Sequence, residues 1–145
     1  MSKWAILVTV GAIILVAVIA LFRSWPVINV VETGGTPEYP DLLPKPYQAK
    51  PGRVFDAALR AVSRLPRWTV VSSQPEHGEI RAEARTLLLR FVDDVVIHVA
   101  EQGGGTVVNV RSASRVGRGD FGQNARNVRT FFIELDRQME IGAGS

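Results

Sequence analysis

The 145-residue chain has no cysteine. That excludes a disulfide framework, an iron–sulfur centre, a thiolate zinc site and a cysteine nucleophile, although it does not fix the compartment. Histidine is almost as scarce, with His77 in an expected turn and His98 in an expected strand. Neither has a partner at metal-ligand spacing, so a metal site is not expected and no cofactor is called for. Charge of one sign is also lacking: 17 basic residues against 14 acidic ones leave +3. That excess is far below the density of a nucleic-acid binder, and no aromatic residues are interleaved with it, so a nucleic-acid partner is not expected. At this length the chain holds one domain and whatever anchor it carries.

What is abundant is apolar sequence at the start. Residues 4–22, WAILVTVGAIILVAVIALF, contain no charge. As a helix they would span roughly 28 Å, the thickness of a bilayer core. Lys3 and Arg23 bracket the run, and Trp4 and Trp25 stand where interfacial aromatic rings would sit. A cleaved signal sequence has a shorter apolar region and a small-residue exit that is missing here. Residues 1–25 therefore read as an uncleaved anchor, with the bilayer as partner. The two-residue tail before the anchor's first flank favours a cytoplasmic N-terminus and a translocated domain, as expected at a bacterial cytoplasmic membrane facing the periplasm.

Six of the eight prolines fall in residues 26–51. This stretch reads as an extended stalk or a wrapped arm. Because it keeps Val27, Ile28, Val30, Val31, Tyr39, Leu42, Leu43 and Tyr47, part of it is expected to lie against the domain or a partner, with an edge strand near 42–48. Residues 52–141 then form the domain, and 142–145 a tail. Val54, Phe55, Ala58, Leu59, Val62 and Leu65 recur at helical spacing. Residues 68–73 and 80–85 read as a hairpin, 93–101 and 106–114 as two further strands, and 87–91 as either an extension of the third strand or an edge segment. Asp120 and Gln123 suggest a capping box for a last helix whose stripe is Val128, Phe131, Phe132, Leu135 and Met139. The expected fold is α+β: an N-terminal transmembrane helix, then a four- or five-stranded antiparallel sheet with two helices packed on one face.

Candidate chemistry centres on residues 111–129. Asn109, Arg111 and Arg115 share one strand face, while Val108, Val110, Ser112 and Ser114 share the other. The arginines seek acceptors, and Asp93 and Asp94 are expected on the neighbouring strand, so Asp93, Asp94 and Arg111 read as a structural ion-pair network. Arg111, Arg115, Arg118 and Asn124 form the alternative, an anion- or partner-contacting patch. Ser112 or Ser114 with His98 and an aspartate gives only a poor hydrolytic site, because neither a nucleophile turn nor an oxyanion loop is present.

The segments INVVETGGTPEYPDL, RFVDDVVIHV and RSASRVGRGDFGQNARNVRTFF resemble domain-of-unknown-function family 1499 over about residues 28–139, a group of bacterial and plastid proteins. The most specific pieces are Phe91-Val92-Asp93-Asp94 and the pattern running from Arg111 to Arg126. The resemblance implies a small envelope or membrane-associated domain and assigns no reaction. Expected roles are a non-enzymatic accessory, scaffolding or assembly subunit beside a membrane complex, or else a module binding a lipid or small apolar ligand, with a hydrolase as the weakest alternative.

Overall fold

A computed structural model describes residues 2–23 and 27–143. Helix α1 (Lys3–Arg23) carries a Lys3–Leu21 stretch that is exposed throughout and long and apolar enough to cross a membrane. Lys3 and Arg23 are its end residues and Trp4 is exposed, whereas Trp25, the other expected interfacial residue, lies outside the described residues.

Six antiparallel strands follow, where four or five were expected: β1 (Val30–Glu32), β2 (Lys45–Tyr47), β3 (Trp68–Gln74), β4 (Glu79–Arg85), β5 (Val92–Gln102) and β6 (Gly105–Ser114). The order is β1-β6-β5-β4-β3, with β2 also paired to β6. Helix α2 (Pro51–Arg64) precedes β3, and α3 (Gln123–Ile141) follows β6. Both helices pack on one sheet face. Alternation along β5 and β6 drives Val95, Ile97, Val99, Val108 and Val110 inward, where they meet Val54, Ala58 and Val62 of α2 and Val128, Phe131 and Leu135 of α3. Trp68 stacks on Phe131 at 6.4 Å. The opposite face is polar and wet, as one face of an antiparallel sheet can be. Gly103 and Gly104 both take positive φ, which the two-residue turn joining β5 to β6 requires.

The proline-rich stretch is an arm integral to the domain, so the domain begins well before residue 52. β1 and β2 cover the two ends of the β6 edge. Between them Thr33 bridges the gap: its N–H donates to the Val110 carbonyl and its hydroxyl accepts from the Val110 N–H. Val31 and Leu42 enter the core, and Lys45 and Tyr47 both bind Asp136 of α3. Pro46 is tolerated because an edge strand needs only some of its N–H groups. Residues 87–91 are neither strand extension nor edge strand. Thr86 closes them into a loop, its N–H donating to the Phe91 carbonyl and its hydroxyl accepting from the Phe91 N–H, with Arg90 left-handed at φ 54°.

Candidate functional site

Asp93 and Asp94 are consecutive on β5, so strand pleating sends their carboxylates to opposite faces. Asp93 points inward and is buried. Ser114 Oγ, directly across the β5–β6 ladder, donates to its Oδ1 at 2.8 Å, and Asn127 Nδ2 donates to its Oδ2 at 2.8 Å. Asn127 also donates to Ser112 Oγ, Ser112 Oγ donates to Asn124 Oδ1, and Asn124 Nδ2 donates to Ser114 Oγ. These five side chains close a ring that ties the first turns of α3 to β5 and β6. A second bond from Asn124 Nδ2, to the Asn29 carbonyl, adds the start of the arm. Among the described residues no buried side-chain polar atom lacks a partner. Burial pushes the Asp93 carboxyl above the usual carboxylate range, against the pull of the Ser114 and Asn127 donors, and the negative charges of Asp120 and Asp94 push the same way.

Asp94 faces outward. Arg115 grips it bidentately, Nε to Oδ2 at 2.9 Å and a terminal nitrogen to Oδ1 at 2.6 Å, and also reaches Glu83 on β4 at 2.7 Å. The arginine holds the Asp94 carboxyl below its ordinary value. Arg115 thereby fastens the end of β6 to β5 and β4.

Above the ring lies a cleft of about 400 Å³, lined mainly by apolar atoms, with Asp93 and Ser114 at its floor. Its two lips are the loop 86–91 and the loop 115–122. Leu87, Leu88, Leu89, Phe91, Val116 and Phe121 are all exposed there, Leu88 to 88%. Each lip holds a non-glycine residue in left-handed backbone, Arg90 at φ 54° and Phe121 at φ 50°. Such backbone costs of order 1–3 kcal/mol per residue and gathers at ligand clamps and other functional sites.

The residues singled out in the sequence divide accordingly. Asp94 is in an ion pair, but with Arg115. Asp93 meets neutral amide and hydroxyl donors because its face of the sheet carries serines, and Arg111, flanked by Val96 of β5 on one side and Glu32 of β1 on the other, enters no ion pair among the described residues. Of the contact patch, Arg118 and Arg111 are exposed, Arg115 is engaged, and Asn124 is fully buried in the ring, so the four do not assemble as one surface. The capping box is half made. Asp120 accepts from the Gly122 and Asn124 N–H groups, while Gln123 turns to Asn127 and Arg126. Left-handed Phe121 and Gly122 intervene, so Gln123 opens the helix instead of sitting three places into it. His98 faces outward beside Glu79, on the sheet face opposite Asp93, so no serine triad forms with it. No group of three or more His, Asp or Glu able to hold a metal occurs among the described residues. The leucines of the first lip and Asn127 were not singled out, yet both left a trace: three leucines between polar strand ends, and two asparagines, 124 and 127, on the apolar stripe of α3.

No curated protein matches the chain. Solved structures to which the chain is similar include two crystal structures. TTHA0849 from Thermus thermophilus is 13% identical with a TM-score of 0.43, the match covering 80% of this chain and 99% of that one. Ara h 8.0201 is 10% identical with a TM-score of 0.34, over 77% and 97%. A family model matches residues 22–135, a range that takes in the arm, the ring and both lips. The chain belongs to the family described as a protein of unknown function, DUF1499.

Proposed function

We propose that the protein is a membrane-anchored, non-enzymatic module that holds an amphiphilic, lipid-like ligand in the cleft between its two lips. In this reading residues 4–22 are an uncleaved span of the bacterial cytoplasmic membrane and the domain lies on the periplasmic side. The observation that carries it is the cleft: about 400 Å³, apolar walls, and a buried carboxyl beside a half-buried hydroxyl at the floor. Small-molecule sites typically combine such volume and such walls with a few placed polar groups that orient the ligand. The apolar walls would take a chain, while Asp93 and Ser114 would meet a hydrogen-bonding head. Native mass spectrometry of the full chain, gently extracted in detergent, tests this. Wild type should retain about one lipid per chain, and Val116→Trp, which fills the cleft from an exposed position, should lose it. Equal retention by the two would reject the cleft as the site.

The accessory or scaffolding role stands second. It is supported by the shallow apolar hollow between the arm and α3, where Leu43 and Ile133 are exposed to 61% and 71%. Co-migration of the extracted chain with a large membrane complex, abolished by Ile133→Asp, would support it, and unaltered migration of this variant would count against it.

A further inference from the structure

We propose that the two lips dock into the surface of the bilayer that α1 spans, with anionic lipid headgroups around them. It goes beyond ligand binding and rests on the preceding reading only in taking α1 as a membrane span.

The chain itself supplies the argument. Arg23 ends α1 and Val27 resumes the described structure, so four residue steps, at most about 14 Å of extended chain, connect them. Val27 lies against Gly119 of the second lip, close enough that a Cβ there would sit 3.8 Å from the Val27 Cα. The next residues are fastened to the same lip: the Asp120 N–H donates to the Ile28 carbonyl at 3.1 Å, and Asn29 Nδ2 donates to the Gly117 carbonyl at 2.9 Å. The 115–122 loop is therefore held within a short reach of the point where the span leaves the membrane. The cleft places the 86–91 loop beside it.

These same loops carry six exposed large apolar side chains, a patch of the kind that marks an interaction surface. Arg90 and Arg118 stand exposed among them. Leucine and phenylalanine at acyl depth with arginine at headgroup depth is the arrangement of an interfacial membrane contact, and the positive charge selects an anionic surface. The opposite end of the domain differs. The turn after Gln102 lies roughly 34 Å away along β5 and is built of polar residues and glycine.

Since the chain has no native cysteine, single labels report depth directly. The full chain, with an environment-sensitive fluorophore on Leu88→Cys, Val116→Cys, Gln102→Cys or Ile14→Cys, would be reconstituted in vesicles of phosphatidylcholine with phosphatidylglycerol. Nitroxide lipids should quench the labels at 88 and 116 at least threefold more than the label at 102, while aqueous iodide should show the reverse order. Ile14→Cys should report mid-bilayer depth. If 88 and 116 are as open to iodide as 102 while 14 is deep, docking is rejected and the span stands. If 14 is shallow, the span fails and docking falls with it. Equal lip depth in pure phosphatidylcholine would overturn the anionic preference. Ligand retention is read separately by the Val116→Trp comparison, so the two proposals can fail independently.

Discussion

The arm and the lips are both segments with little regular structure and many apolar residues, and they spend those residues differently. The arm buries Val31 and Leu42 completely or nearly so and packs Ile28, Tyr39 and Tyr47 against the core. The lips leave Leu87, Leu88, Leu89, Val116 and Phe121 more than half exposed. Apolar sequence outside the long helices and strands thus has two meanings here. In the arm it completes the fold by closing the β6 edge, which would otherwise be open to pairing with another chain. In the lips it is surplus to the fold, and each lip keeps one residue, Arg90 or Phe121, in strained left-handed backbone.

The contrast can be broken or sharpened by substitution. Leu42→Ala should cost the domain about 2–5 kcal/mol, because it removes a core side chain and leaves a cavity. Chemical denaturation of the chain in nanodiscs, followed by circular dichroism, would measure it; a loss below about 0.5 kcal/mol, the size of an ordinary surface change, would make the arm an appendage. Asn127→Ala should cost about 1–3 kcal/mol, since it strips a donor from buried Asp93 and opens the ring beneath the cleft. At the other extreme, Leu88→Ala should shift stability by no more than about 0.5 kcal/mol while weakening lipid retention.

The aspartate pair adds a prediction about pH. Asp93 has its folded pKa raised, so its contribution is most favourable below the unfolded value, about 3.9, and is lost as pH rises through the folded value. Asp94 has its pKa lowered, so its contribution is present above the unfolded value and is lost as pH falls through the folded one. Relative to wild type, Asp93→Asn should therefore gain stability as pH is raised from 3 to 7, and Asp94→Asn should lose it. Denaturation midpoints of both variants across that range check the signs; slopes of the same sign would refute the assignment of opposite environments.

Much of the fold was legible because its elements are long and periodic. The stripes of α2 and α3 and the alternation in β4, β5 and β6 each point to one face. The arm was harder to read, since β1 and β2 are three residues each and depend on β6 for their existence. Alternation could assign Arg115 and Ser114 to opposite faces, but it could not say which aspartate each would meet. That depends on register: Asp93 is opposite Ser114 and Asp94 opposite Ala113. Asn124 looked like a surface donor beside arginines, and only its place on the buried stripe of α3 argued otherwise. The cleft was hidden because its lips are separated by the whole β5–β6 hairpin, residues 92–114, and meet only when that hairpin folds.

The most direct test of where this protein meets its lipid is photo-crosslinking of the full chain, in vesicles containing a lipid with a diazirine on its acyl chain, followed by peptide mapping. Outside α1, adducts should concentrate on residues 86–91 and 114–123 and be sparse at Leu43 and Ile133. Adducts concentrated at Leu43 and Ile133, or spread evenly over both regions, would contradict the account.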